Sequence, residues 1–166
     1  MSMPIYQVDA FTGTPFAGNP AGVCLLPGER PDTWMQAVAR EMNLSETAFL
    51  LPEGGGYRLR WFTPAVEVAL CGHATLASAH VLWTEDRAGA AGQLRFYTRS
   101  GELGARREGD WIELDFPARP ERPIEPPPGL AEALGAQPVY TGQNVDDLLV
   151  LLADAATVRN LQPDLA

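Results

Sequence analysis

Cys71-Gly72-His73-Ala74-Thr75-Leu76-Ala77-Ser78-Ala79-His80-Val81-Leu82-Trp83 is the stretch from which the fold is read. Small residues open it, and Ala, Leu and Val continue it around every face, so a helical period finds no polar side for solvent. A helix of this kind has to be covered on all sides, with its first turn at the end of a strand. Gly72 lets a ligand or a second backbone come close, and the first amides of a helix carry partial positive charge. A carboxylate is therefore a suitable guest there.

Outward from this helix the chain reads mostly as strands. Ile5–Phe11 alternates as an opening strand, and Ala21–Leu26 follows as a second, with Phe16-Ala17-Gly18-Asn19-Pro20 as the loop between them. Pro31–Met42 starts with proline, has an acidic first turn and carries apolar residues at 34, 35, 38, 39 and 42, which predicts an amphipathic surface helix. Thr47–Leu51, Tyr57–Thr63, Gly92–Thr98, Glu102–Arg107 and Trp111–Phe116 are β-rich, with turn signals at Gly54-Gly55-Gly56, Ser100-Gly101 and Glu108-Gly109-Asp110. Many strands and one all-apolar helix predict an α+β fold in which a sheet curls around that helix.

The composition changes at Pro117. Six prolines between Pro117 and Pro128 predict a stiff solvated linker over 118–128, separating a first domain (1–117) from a partial second one (129–166). In the latter a short helix is expected at Leu130–Leu134, strands near Val139–Thr141 and over Asp147–Leu152, and a helix start after Asp154.

The chain has 166 residues, 46% of them hydrophobic, and a formal charge of −9. No basic patch stands out among the scattered arginines, so neither nucleic acid nor an anionic membrane is an expected partner. The two cysteines, Cys24 and Cys71, the absence of a leader pattern before Pro4 and the absence of a long uninterrupted apolar run predict a cytoplasmic, reducing location. A disulfide between the two is then the less favoured arrangement.

Glu46, in Asn43-Leu44-Ser45-Glu46-Thr47-Ala48-Phe49, is the main chemical candidate. A carboxylate between small hydroxyl residues, at the entrance of a buried strand, lies where desolvation makes it a usable proton-transfer group. The same residues also suit a helix cap or a turn into a strand. His73 at a helix start reads either as a proton-transfer residue or as hydrogen-bonded structure. His73 and His80 are seven apart and could share a helix face, but no further ligand pattern accompanies them, so no metal site is expected. Cys71 precedes a helix N-terminus, where a thiolate is stabilised, yet its neighbours Ala69 and Leu70 favour a buried structural cysteine. Asn144 with Asp146 and Asp147 reads as a cap or loop.

Phe16–Val23, Asn43–Phe49, Arg60-Trp61-Phe62-Thr63-Pro64 and Cys71-Gly72-His73-Ala74-Thr75 together resemble the ordered motifs of the PhzF-like phenazine-biosynthesis isomerases. The resemblance runs from Pro4 to Pro117 and more loosely beyond. It implies a diaminopimelate-epimerase-like fold, in which two similar lobes each wrap a sheet around a central helix and enclose the active site between them. It further implies that Glu46 is the acid/base moving a proton between carbons of a small carboxylated substrate, with His73 as a relay and no cofactor. Asn19, Ser45, Gly72, His73, Ala74 and Thr75 would line the substrate, Asn19 having a turn-forming role before proline as its other reading. Family members carry a second lobe with its own carboxylate and Gly-rich motif, and Leu130–Ala166 contains neither. The chain is then expected to be a fragment of a longer protein, a cleaved or frameshifted product, or a half that borrows its complement from another chain, either a second-lobe chain or a second copy in a homodimer. The competing reading is a non-catalytic ligand-binding or oligomerisation module derived from half of such an enzyme.

Overall fold

The computed structural model describes residues 3–88 and 92–164. Two compact units make up the chain, Met1–Phe116 and Pro117–Ala166.

The first unit is an eight-stranded mixed sheet with one helix on each face. Its strands are β1 (Ile5–Ala10), β2 (Asn19–Leu25), β3 (Glu46–Glu53), β4 (Gly56–Phe62), β5 (Glu67–Val68), β6 (Gln93–Thr98), β7 (Gly101–Glu108) and β8 (Trp111–Asp115), and its helices are α1 (Asp32–Met42) and α2 (Gly72–Thr84). They lie in the order β1-β2-β3-β4-β6-β7-β8, with β5 paired to β4. The pairs β2/β3 and β4/β6 are parallel, each joined by a helical crossover, α1 and α2 respectively. The strand β1 and the strand β8, at opposite ends of that order, both pack against α2, as do β2 and β3. The sheet therefore curls around α2, as the composition of that helix requires.

Period-two alternation divides the side chains of the sheet between two cores. Ala21, Val23, Ala48, Leu50, Leu59, Trp61, Leu94, Phe96, Leu103 and Ala105 face α2. Cys24, Phe49 and Phe62 face the other way and meet Met35 and Ala39 of α1. Phe49 packs edge-on against both Phe62 and Trp34 there. Of the two helices, α1 buries one face only, whereas α2 is buried along most of its length. The exceptions are half-buried Trp83 and the stripe Gly72, Leu76, His80 and Thr84, which is half-buried to exposed. His80 consequently lies in solvent while His73 is buried, so the two histidines share no site despite their spacing.

Turn chemistry holds where the sequence signalled it. The Gly54-Gly55 loop joins β3 to β4 with φ of 56° and 81°, the pair of positive values that a tight hairpin demands. Strand β2 begins two residues earlier than expected, so Asn19 and Pro20 belong to a strand rather than to the loop. Their pairing with Ala10 and Asp9 extends the ladder, while the parallel pairing with β3 starts only at Ala21. The missing proline N–H thus falls outside that parallel ladder. The short β5 has no β signature of its own. It is held by pairing to Trp61 and Phe62 and by the two-pronged contact of Arg60 Nε and Nη2 with the Glu67 carboxylate, both at 2.7 Å.

The second unit contains β9 (Arg122–Pro123), α3 (Leu130–Leu134), β10 (Tyr140–Gln143), β11 (Leu148–Leu151) and α4 (Ala155–Arg159). The stiff solvated linker expected over 118–128 is mostly exposed but does carry a short strand, which proline-rich composition did not suggest. Arg122 and Pro123 pair with Gln143 and Gly142 as the edge of an antiparallel sheet, β11-β10-β9, and an edge is where a strand tolerates proline. Asp154 caps α4 by accepting from the Thr157 N–H at 2.7 Å, and that bond holds its carboxyl below the usual range. Asn144 Oδ1 accepts from the amides of Asp146 and Asp147, which closes the β10–β11 turn.

Candidate active site

The connection from α1 to β3 delivers the first two residues of the site. Helix α1 ends at Asn43, whose left-handed backbone returns its N–H to the Ala39 carbonyl at 3.1 Å. Leu44 and Ser45 then turn the chain into β3, and Glu46 is its first residue. The parallel register pairs Glu46 with Ala21, a residue of the core around α2, so the pleat aims the carboxylate at α2 rather than at α1. From the other side, extended Cys71 ends the approach to α2 and Gly72 opens the helix. The first turn of α2 therefore brings Cys71 and His73 against the start of β3.

Four side chains meet there. His73 Nε2 lies 3.4 Å from Glu46 Oε2 and 3.2 Å from Ser45 Oγ, while Nδ1 lies 3.4 Å from Cys71 Sγ. The side chains of His73 and Glu46 retain only 9% and 19% of their exposure, enough to shield the pair from bulk water while one edge stays open. Burial, together with the neighbouring Glu46 carboxylate, pushes the Cys71 thiol up to about 12, against the smaller opposing pull of the Ala74 and His73 amides. The expected helix-end stabilisation of a thiolate is thus outweighed, and Cys71 stays a protonated thiol at neutral pH. A protonated thiol beside Nδ1 favours the tautomer in which Nδ1 accepts and Nε2–H points at the carboxylate. Chemically the cluster offers a carboxylate, an oriented imidazole and a hydroxyl close to one another.

Other expected site residues are distributed less evenly. Gly72 is half-buried. Ala74 and Thr75 have fully buried side chains, and the Thr75 hydroxyl is committed to the Cys71 carbonyl at 2.6 Å. These residues can meet a ligand only through backbone. The N-cap of α2 is Cys71, and its side chain makes no capping hydrogen bond. Asn19 stands two residues before Ala21, at the Glu46 end of the sheet and on the same side of the pleat, but among the described residues no hydrogen bond joins it to the cluster. Sequence reasoning placed Cys71 in the core and missed its contact with His73. The usable signal was the i, i+2 spacing across a helix start, which turns both side chains toward the strand ahead of it. The remaining cysteine, Cys24, is buried in the core on the α1 side, and neither cysteine is in a disulfide.

Comparison with known proteins agrees with this architecture. The family model for phenazine biosynthesis-like proteins, PhzC-PhzF, matches residues 8–166. An uncharacterized isomerase of Halalkalibacterium halodurans is 54% identical over 165 residues, covering 99% of this chain and 62% of the relative. A phenazine biosynthesis-like domain-containing protein of mouse is 46% identical, covering 93% of this chain and 58% of the relative. Among solved structures, a PhzF-family phenazine biosynthesis protein of Enterococcus faecalis superposes with a TM-score of 0.89 at 43% identity, covering 99% of this chain and 62% of that one. The chain thus spans about three fifths of the length of these relatives. A Pseudomonas aeruginosa protein described as a predicted epimerase shares the fold with a TM-score of 0.75 at 23% identity. No helix among the described residues is long and apolar enough to cross a membrane. With a curled sheet around an apolar helix, the motifs in order and a family match over nearly its whole length, the chain belongs to the PhzC-PhzF family of phenazine biosynthesis-like proteins.

Proposed function

We propose that this chain supplies the proton-transfer half of an isomerase active site. Glu46 takes a proton from an activated carbon of a small carboxylated substrate, becomes a neutral carboxylic acid, and returns the proton to a different carbon of the same molecule. The observation that carries the reading is the 3.4 Å approach of His73 Nε2 to Glu46 Oε2 in a nearly enclosed setting. A hydrogen-bonded imidazole holds the carboxylate in one orientation and can relay its proton. The substrate carboxylate would sit over the first turn of α2, with the Gly72 and His73 backbone, Ser45 and Asn19 around it. The proton leaves and returns within one molecule, so the reaction needs no cofactor. The complementary wall of the pocket would come from a second lobe, in a longer polypeptide, in another chain or in a second copy.

The test is solvent-deuterium incorporation, followed by NMR, into small carboxylates that carry an activated C–H. Glu46→Gln should lower the rate by at least about 100-fold while the circular dichroism spectrum stays unchanged. Undiminished exchange in that variant would sink the assignment. A carboxylate that raises the melting temperature of the unaltered protein without any exchange would favour the ligand-binding module instead.

A further inference from the structure

We propose that Glu46, Cys71 and His73 form a binding site for a divalent cation of the zinc class. Their donor atoms, one carboxylate oxygen, one thiol sulfur and one ring nitrogen, all lie within 4.8 Å of one another. Tetrahedral zinc, with bonds of about 2.0–2.3 Å, holds its donors about 3.3–3.8 Å apart. The Nδ1 to Sγ separation of 3.4 Å is already in that range. Glu46 Oε2 instead stands at the other ring nitrogen, 3.4 Å from Nε2. To supply the third donor the carboxylate has to swing toward Sγ, which lies within 4.8 Å of one of its oxygens. The donors come from the start of β3 and the first turn of α2, two elements fixed by the core, so little ordering is required on binding.

The donor set selects the ion. A thiolate, an imidazole and a carboxylate suit a borderline-soft cation, whereas magnesium and calcium take oxygen ligands. Coordination through Nδ1 leaves Nε2–H to donate to Ser45 Oγ, 3.2 Å away, which is the outer hydrogen bond that orients a metal-bound histidine. As the metal–sulfur bond forms, the thiol proton passes to water, and no oxidation or reduction takes place. Three protein ligands leave a fourth position for water or a substrate carboxylate. Occupancy engages the carboxylate that the proposed isomerase uses, so the cation-loaded and proton-transferring states exclude each other. That consequence alone rests on the functional reading above.

Cobalt(II) is the probe, because a thiolate ligand gives it a sulfur-to-metal charge-transfer absorption in the near ultraviolet. Titration of the reduced protein should produce this band, saturating at about one equivalent, and zinc should displace it. The band should persist in Cys24→Ser and vanish in Cys71→Ser. Glu46→Gln and His73→Gln should each weaken cobalt binding at least about 10-fold. If Cys71→Ser does not fold, these two variants decide the matter, and undiminished binding in both overturns the site. So does the lack of a band in the folded unaltered protein, or its survival in a folded Cys71→Ser protein. The readout needs no turnover, so its failure leaves the proton-transfer reading standing, and a failed exchange experiment leaves the cation site standing.

Discussion

In Met1–Phe116 the helix α2 is covered along nearly its whole length by strands from both ends of the sheet, whereas in Pro117–Ala166 neither α3 nor α4 has a buried residue. The same contrast holds for strands. Residues Ala48, Phe49 and Leu50 of β3 are fully buried, while Leu148, Leu149 and Leu151 of β11 are exposed. The first unit is held by apolar burial, at roughly 25 cal/mol for each Å² removed from water. The second is held by local devices: the Asp154 cap, the Asn144 turn and an edge strand that tolerates proline. Its elements form where caps and turns specify them locally.

The contrast can be broken most directly by truncation. Phe96→Ala, at a fully buried position of β6, should lose about 3–5 kcal/mol in urea unfolding. A loss below about 1 kcal/mol would mean that the first unit is not held by its core. Glycine substitutions probe the same difference more gently. A Cβ on Gly22 would meet Thr47 Oγ1 at 2.9 Å, and Thr47 is fully buried and β-branched, so Gly22→Ala should cost about 1–3 kcal/mol. A Cβ on Gly142 would meet the Glu121 Cγ and the Tyr140 ring, Oη at 2.9 Å and Cε1 at 3.0 Å. Glu121 is exposed and Tyr140 only half-buried, so both side chains can shift and Gly142→Ala should cost less than Gly22→Ala, about 1 kcal/mol. Equal costs at the two glycines would erase the distinction.

Alkaline pH should act on the first unit through its two buried thiols. Burial raises the Cys24 thiol from 9.0 to about 11 and the Cys71 thiol from 9.0 to about 12. Above 9.0 the unfolded chain loses these protons while the folded chain keeps them, so stability is fully present below that pH and falls as pH rises further. The decline should be at most about 1.4 kcal/mol per thiol over the first pH unit, read as a falling melting temperature. Cys24→Ala should flatten part of it. The smallest effect expected is that of Leu149→Ala on the exposed β11, within about 0.5 kcal/mol. A loss of several kcal/mol there would reveal that the face of β11 is covered in the protein as it exists in solution.

Individual elements show why some features were legible and others were not. The helix α1 could be placed to within a residue because its proline start, acidic first turn and apolar spacing all act locally. So could α4, from Asp154. The strands β5 and β9 could not, since two residues carry no period and each is made by its neighbours: β5 by Arg60, Trp61 and Phe62, β9 by Gly142 and Gln143. Asn19 and Pro20 looked like a loop because proline usually ends a ladder, and only their pairing with Ala10 and Asp9 of β1 makes them part of a strand. For the candidate site, the motifs carrying Glu46, Ser45 and His73 were visible. The separation of His73 from His80 and the inclusion of Cys71 were not.

The sequence by itself determined that α2 is a buried helix, because a segment with no polar face has no stable place in water. It also determined the strand-rich α+β character and the family. Tertiary structure alone decided which chemistry-bearing side chains meet. Ser45 and His73 are 28 residues apart, and their contact depends on the register that sets Glu46 opposite Ala21 and on the curl that brings the first turn of α2 to the end of β3. Register and curl arise from packing between distant strands, and no local stretch of sequence encodes them.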